Sequence, residues 1–352
     1  MLNVGVVGCG PIAQFAHFEA CVKANNARLY AICDRADDLV DSMSQIWHPA
    51  RTFTEYDQML EDPKLDAVII ATADEYHVPL ALKAVEASKH VLIEKPLSHS
   101  LDVCLELKDQ ISSRDIHIQV GHMKRFDEGV EYAKQFVEKE MGEVLAIKAW
   151  YADNTHRYTM TDNLQPLPLL SKNAIEPSKN WKGDLLRYYL LAHGSHLLDT
   201  AMHFGGKIGS LRSRIKKKND FHCWFIDVEY VDGVIGHLDL TIKLRGDWHE
   251  GFTIYGSEGS VFGKTYNPWF YKSSDVECYS EVNQMYSRPL AADGFSYRRQ
   301  LEHFAEVVLN KAEAQGTDLE EGIEVVKGMM AISRSTELNK TIYLDTIKDG
   351  VL

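Results

Sequence analysis

Val4-Gly5-Val6-Val7-Gly8-Cys9-Gly10-Pro11-Ile12-Ala13 runs from an apolar strand through a glycine turn into a helix start. It has the GxGxxA form of the dinucleotide fingerprint. Gly8 permits the tight turn, Gly10 lets backbone approach a pyrophosphate, and Ala13 lets the helix pack close on the strand. Pro11 suits the first helical position, where a missing N–H costs nothing. Ile12, Phe15, Ala16 and Ala20 share one face of the helix that follows.

The next strand, Leu29-Tyr30-Ala31-Ile32-Cys33, ends in Asp34, about twenty residues beyond the loop, where the fingerprint places an acid for the ribose hydroxyls. An anion there repels a 2′-phosphate, so NAD is expected over NADP. Asp34 could instead cap the following segment, and the neighbouring guanidinium of Arg35 leaves NADP possible.

Strand and helix signals then alternate: Ala67 to Ala71, a helix from about Val78 to Ser88, Val91-Leu92-Ile93, and Ile116 to Val120. Such alternation predicts a doubly wound parallel sheet. Val91-Leu92-Ile93 stops at Glu94-Lys95-Pro96, which places an ammonium at the carboxyl end of a buried strand, where open α/β sheets put their chemistry. The plainer reading is a surface lysine before a turn.

After Gly142 the pattern changes to long alternating segments, Val144 to Tyr151, Cys223 to Tyr230, Ile235 to Ile242 and Phe252 to Tyr255, with turns at Asp232-Gly233 and Glu258-Gly259. These predict a large, mainly antiparallel open sheet. Helices are expected around Tyr297–Lys311 and Asp318–Leu338, the latter starting at Thr317 or Asp318 with acids in its first turn. The polar, proline-containing stretch from Thr159 to Lys182 reads as a mobile loop. At 352 residues the chain suits two domains: a Rossmann domain over 1–122 and an α+β domain for substrate and oligomerisation over 123–352.

A net charge of −13 argues against nucleic acid, which requires a basic surface. The basic cluster Arg212, Arg214, Lys216, Lys217 and Lys218 reads as a solvated hairpin between two strands. Six scattered cysteines show no CxxC or ligand spacing, so neither a disulfide framework nor a metal site is indicated. Reduced thiols, no basic leader before the first strand and no apolar run of bilayer length point to a cytoplasmic protein without membrane contact.

Other motifs extend the pattern: Ala71-Thr72 and His77 after the third strand, Gly121-His122-Met123-Lys124-Arg125-Phe126 after the fifth, Gly194-Ser195-His196-Leu197-Leu198-Asp199, and Tyr255 to Ser260. In this order, with the glycine loop, Asp34 and Glu94-Lys95-Pro96, the chain resembles the Gfo/Idh/MocA oxidoreductases over almost its whole length. The resemblance implies a nicotinamide-dependent dehydrogenase acting on a secondary alcohol of a sugar, cyclitol or sugar acid. It also implies a homodimer or homotetramer assembled through the antiparallel sheet.

Gly8, Gly10, Pro11, Ile12, Asp34, Arg35, Ala71, Thr72, His77, Glu94, Lys95 and His122 are the expected cofactor residues. The lysine matching Lys95 lies near nicotinamide and substrate, and the histidine matching His196 faces it from the second domain. An imidazole suits the base and an ammonium the developing oxyanion. Arg125 and Asp199 match substrate positions, although Arg125 could instead pack or pair between the domains and Asp199 could fix an imidazole tautomer. His77 could instead cap a helix.

One departure concerns the aspartate that commonly stands four residues before the histidine. Here that position is Ala192. His193 could serve a rearranged site or be a satisfied polar residue at a helix start. Trp150, Tyr151, His156, Arg157, Tyr188 and Trp269 are possible pocket walls. Two further readings are a lyase or hydrolase using NAD for transient oxidation, and a catalytically silent NAD-binding regulator.

Overall fold

The computed structural model describes all residues except 113, 176 and 178–182, and leaves undescribed the side chains of Arg157 and Tyr158. The chain forms two compact units. Unit 1 comprises Met1–Met123, Gln165–Asn180 and Tyr297–Ile323, and unit 2 comprises Lys124–Leu164, Trp181–Ser296 and Glu324–Leu352. The domain expected over 123–352 is therefore broken by two returns to unit 1. Those returns are held by side-chain contacts that sequence spacing cannot express. Asn25 donates from N and Nδ2 to Glu302, both at 2.9 Å, and Asn26 Nδ2 donates to Glu306.

Unit 1 carries six parallel strands, β1 (Leu2–Val7), β2 (Ala27–Cys33), β3 (Arg51–Phe53), β4 (Ala67–Ile70), β5 (His90–Ile93) and β6 (Ile118–Val120), in the order 3-2-1-4-5-6. This is the doubly wound arrangement, with its switch point between β1 and β4. Every residue of β4 is buried, as expected of a strand covered on both faces. The connections hold α1 (Phe18–Lys23), α2 (Asp37–Trp47), α3 (Tyr56–Leu60), α4 (His77–Glu86) and α5 (Leu101–Ile111). A π-helical turn, Ala13–His17, stands between the glycine loop and α1.

Unit 2 is built on nine strands. They are β7 (Val144–Asn154), β8 (Ile208–Lys218), β9 (Phe221–Tyr230), β10 (Ile235–Leu244), β11 (His249–Gly256), β12 (Gly259–Thr265), β13 (Asp275–Ser280), β14 (Met285–Ser287) and β15 (Ile342–Tyr343), in the order 14-13-12-11-7-10-9-8-15. All pairs are antiparallel except β7 with β10. Its helices are α6 (Glu128–Lys139), α7 (Arg157–Leu164), α8 (Leu185–Tyr189) and α9 (Ser195–Gly205). Downstream follow α10 (Ser296–Asn310) and α11 (Leu319–Leu338). Asp318 and Glu321 exchange side-chain-to-backbone hydrogen bonds of 2.8 and 3.0 Å, a reciprocal cap that fixes the start of α11.

The registers assign the two faces of this sheet. Ala149, Tyr151 and Asp153 of β7 alternate onto one face with Trp224 of β9, Leu240 of β10 and Glu250 of β11, all buried. The opposite face carries Arg212, Asp227, His237, Lys148 and Phe262 in one cross-strand row and Arg214, Phe225, Asp239, Trp150 and Lys264 in the next. The basic cluster forms the first strand of the β8–β9 hairpin. Its alternate residues lie on the open face within β8, which reads as polar because only its other face is packed, and the turn comes after it at Asn219, φ 56°.

The stretch expected as a mobile loop begins inside α7. Its next part runs along unit 1, where Leu169 exchanges two hydrogen bonds with the Gln14 amide, both 2.9 Å, and Ser171 Oγ donates to Asp38 at 2.6 Å. Its end, at 176 and 178–182, lies outside the described residues. All six cysteines are free. Among the described residues no helix is long and apolar enough to cross a membrane, and no group of three or more ligating side chains is placed to hold a metal.

Candidate active site

At the switch point of the unit 1 sheet lies a cavity of about 590 Å³ lined by Gly8, Gly10, Pro11, Ile12, Asp34, Arg35, Ala71 and Thr72, among others. Gly8 has φ 95°, and a Cβ there would meet the Ala71 carbonyl oxygen at 2.6 Å, so the turn after β1, beside the end of β4, admits only glycine. Gly10 has open space where a Cβ would project. The loop is therefore a bare backbone cradle of the kind a pyrophosphate requires.

Asp34 Oδ2 accepts the Cys9 N–H at 2.7 Å and Oδ1 accepts the Ala36 N–H at 2.9 Å. The carboxylate thus braces the glycine loop as well as facing the cavity, and each oxygen keeps acceptor capacity for a ribose hydroxyl. Thr54, Glu55 and Tyr76 also line the cavity, as do Ala174 and Ile175 from the stretch anchored by Gln14 and Asp38. None of these five is signalled by the fingerprint, which is local to β1 and β2.

His77, Glu94, Lys95 and His122 are not among the cavity's lining residues. His77 is buried at the start of α4, with Nδ1 2.8 Å from the Pro96 carbonyl and Nε2 3.2 Å from that of Thr72. It joins the loops after β4 and β5 to each other. Glu94 is buried at the end of β5, its Oε1 2.9 Å from His17 Nε2 and its Oε2 accepting the Lys95 N–H at 3.0 Å. Burial alone would raise the Glu94 pKa, but the hydrogen bond and charge of His17, with Lys95 and His77, bring it below the ordinary value. His17 reaches Glu94 from the π-helical turn, a local widening that helical periodicity cannot foresee. Lys95 itself is half-buried, and His122 is buried directly after β6.

Unit 2 gathers a second cluster on the covered face of its sheet. His193 lies in a π-helical turn, Leu190–Gly194, that leads into α9, and His196 occupies the first turn of that helix. Both rings lie against Tyr151, His196 stacked at 5.8 Å and 2°, His193 tilted at 5.5 Å. His193 Nδ1 is 3.3 Å from Tyr151 Oη, and its Nε2 is 3.7 Å from Asp153 Oδ2. Asp153 went unremarked in the sequence. The available signal was its place two residues beyond Tyr151, on the inward register of a strand, where an acid is costly unless it has partners.

Beneath Tyr151, Lys124 Nζ lies 4.4 Å from the ring centroid and forms a buried ion pair with Glu250, which also accepts from Trp248 Nε1 at 3.2 Å. Burial raises the Glu250 pKa, and the Lys124 charge offsets part of that rise. Arg125 and Asp199 do not present free groups to a substrate. Arg125 Nε donates to Asp199 at 3.1 and 3.2 Å and Nη2 at 2.8 Å, with both side chains buried. This fork-to-carboxylate pair satisfies both groups inside unit 2.

The aromatic candidates divide. Tyr188 stands edge-on to His193 at 6.4 Å. Trp150 projects to the open face, stacked on His249 at 5.6 Å, because it is one residue out of phase with Tyr151. His156 is exposed, Trp269 sits in a 3₁₀ turn capped by Asn267, and the Arg157 side chain lies outside the described residues.

Residues 2–122 match the model of the Gfo/Idh/MocA family, an oxidoreductase family with an NAD-binding Rossmann fold. Inositol 2-dehydrogenase 2 of Saccharopolyspora erythraea is 32% identical over 262 residues, covering 74% of this chain and 72% of that protein. Myo-inositol 2-dehydrogenase of Thermotoga maritima is 24% identical over 273 residues, covering 74% and 75%. A solved levoglucosan dehydrogenase in complex with NADH shares the fold, with a TM-score of 0.78 at 18% identity over 97% of this chain and 99% of its own. The glycine cradle at the switch point and the open sheet that follows it are thus parts of a known architecture, and the chain belongs to the Gfo/Idh/MocA family of NAD-binding oxidoreductases.

Proposed function

We propose that this protein oxidises a secondary alcohol of a neutral cyclitol or sugar, with NAD as acceptor. The observation that carries this reading is the buried set of two imidazoles, a phenol and a carboxylate on the covered face of the unit 2 sheet. A carbinol gives up hydride only as its hydroxyl proton leaves, and imidazole is the side chain ordinarily suited to take that proton. When bound, the nicotinamide supplies the hydride acceptor. The Gly8–Gly10 cradle holds the pyrophosphate, and Asp34 takes the ribose hydroxyls and disfavours a 2′-phosphate. Lys95 orients the substrate oxygen and stabilises its negative charge. His196 or His193 receives the proton.

Neutral substrates are favoured over sugar acids by the charge balance of unit 2. Lys124 and Arg125 are each neutralised, by Glu250 and Asp199, and Asp153 adds an anion beside His193. A carboxylate substrate would meet that anion without a matching cation from those two residues. Relatives named as inositol dehydrogenases support the same substrate class.

The protein acts as a homo-oligomer in this reading. Phe225, Ile235, Phe262 and Tyr286 lie exposed on or beside the open face of the sheet, and apolar side chains gathered on one face suit a second copy. Six unpaired cysteines suit a reducing compartment such as the cytoplasm.

The test is the near-ultraviolet absorbance of reduced nicotinamide, with NAD and NADP offered separately against inositols, aldoses, polyols and sugar acids. Reduction by a neutral member with NAD is expected. Calorimetric NAD binding with no reduction by any member would favour a silent NAD-binding regulator. Product release from a substrate without net NADH would favour the lyase or hydrolase reading.

A further inference from the structure

Residues 165–175 belong to unit 1, although α7 directly before them belongs to unit 2. Pro166 and Pro168 fix φ at alternate positions and hold the residue before each of them extended, so little freedom is lost when the stretch docks. Leu169 then exchanges N–H and C=O hydrogen bonds with the Gln14 amide, both 2.9 Å. Two residues on, Ser171 Oγ donates to Asp38 Oδ1 at 2.6 Å and accepts the Asn173 N–H at 2.9 Å. That second bond folds the chain into a turn. Ala174 and Ile175, directly beyond it, line the cavity at the switch point.

Gln14 follows the glycine loop, and Asp38 stands in the first turn of α2, four residues past Asp34. The stretch therefore passes from the pyrophosphate cradle toward the ribose acid, on the β2 side of the switch point. Lys95 follows β5, on the opposite side. This path leads over the adenosine half of the crevice and away from the end that would hold nicotinamide. Leu39 of α2, Leu80 of α4 and Ile175 give the cavity apolar walls, which suit the faces of a purine. Leu167 and Leu170 are 72% and 77% exposed, so neither anchors the stretch in the core, whereas the bonds to Gln14 and Asp38 do fasten it. A surface segment fastened by polar contacts opens locally while the core stays folded.

We propose that residues 169–175 are a clasp over the adenosine half of bound NAD, latched by Gln14 and Asp38, whose opening governs cofactor release. This rests on the reading of the cavity as the NAD site. Ile175 is the contact with adenine, and Gln14, Asp38 and Ser171 are positioning residues that hold it there. Ser171 is the central latch, because one hydroxyl both ties Asp38 and shapes the turn that presents Ile175. Cofactor beneath the clasp exchanges while the latches are open. The clasp thus sets residence time without touching the end that accepts hydride.

Three measurements read the clasp without any substrate. In calorimetry, Ile175→Ser should weaken NAD and ADP-ribose, which lacks nicotinamide, to the same extent, each about fivefold. In stopped-flow fluorescence, Ser171→Ala should raise the NADH dissociation rate about fivefold, with the association rate changed less than about twofold. In hydrogen exchange read by mass spectrometry, NAD should protect the amides of 169–175 in the unaltered protein and protect them less in Ser171→Ala. Ser171 is half-buried and Ile175 exposed, so both variants should retain the fold. An unchanged NADH dissociation rate in Ser171→Ala, no NAD-dependent protection over 169–175, or unmoved ADP-ribose affinity in Ile175→Ser each overturns the clasp. An unaltered protein that binds neither NAD nor ADP-ribose overturns the cofactor reading and the clasp together, whereas binding with silent variants overturns the clasp alone.

Discussion

Glu94 Oε1 lies 2.9 Å from His17 Nε2, a buried contact that ties the turn after the glycine loop to the residue preceding Lys95. The turn after the glycine loop and the end of β5 are therefore tied together by this contact. His17→Ala removes the partner of a buried carboxylate and should destabilise the fold by about 3 kcal/mol, read as a lowered midpoint in urea. Because the Glu94 pKa is lowered in the fold, its contribution is present above the unfolded carboxylate value and is lost as pH falls through the folded one. An unchanged urea midpoint at neutral pH would show that His17 does not hold Glu94.

The Asp34 carboxylate accepts two backbone N–H groups and faces the cavity. Asp34→Ala should weaken NAD binding about tenfold, the loss of a charged hydrogen-bond acceptor, while relaxing discrimination against NADP. The ratio of kcat/KM for the two cofactors measures this, and an unchanged ratio would refute the role given to Asp34.

Much of the first unit was legible from sequence because its signals are local. A glycine loop, a strand-ending acid and alternating strands and helices lie within short windows of the chain. The alternation after Gly142 likewise marked a one-sided sheet. What could not be read depends on register and return. Asp153 matters only because Tyr151, two residues away, shares its face with His193, forty residues downstream. The pairing of Arg125 with Asp199 and the return of α10 to unit 1 also rest on long-range contacts. Both π-helical turns shift side chains off the helical period on which the sequence reading relied.

Leu169 exchanges two hydrogen bonds with Gln14, and the same stretch brings Ala174 and Ile175 to the cavity wall. Gln14→Ala should speed NADH release about fivefold, equivalent to ~1 kcal/mol of anchoring. Stopped-flow nicotinamide fluorescence reads the dissociation rate, and an unchanged rate would detach this stretch from cofactor retention.

Burial, aided by the charge of His90, holds the His117 pKa at about 4, and burial with the Arg125 charge holds that of His203 at about 3. Their unfolded values lie near 6.5, so below that pH the unfolded chain binds protons that the fold does not. Stability is therefore fully present above about pH 6.5 and falls as the pH drops toward 4, by up to about 1.4 kcal/mol per pH unit for each ring. Both rings are half-buried, so solvent screens part of each contribution. Urea midpoints measured between pH 7 and 4 should fall less steeply for His203→Asn, and an unaltered slope would contradict this origin of acid sensitivity.

Phe262 lies exposed on the open sheet face, on β12. For the homo-oligomer proposed above, Phe262→Asp should give a monomer in sedimentation velocity, with the unit 2 fold retained by circular dichroism. An unaltered sedimentation coefficient would place the interface elsewhere.

The central claim is that hydride moves from a neutral carbinol to NAD as a net reaction. Its most direct test is turnover of an inositol or aldose deuterated at the carbinol carbon, with mass analysis of the nicotinamide. The account predicts one deuterium at C4 of the accumulating reduced nicotinamide for each ketone formed. Deuterium that stays in or returns to the carbohydrate product, with no NADH accumulated, would contradict it.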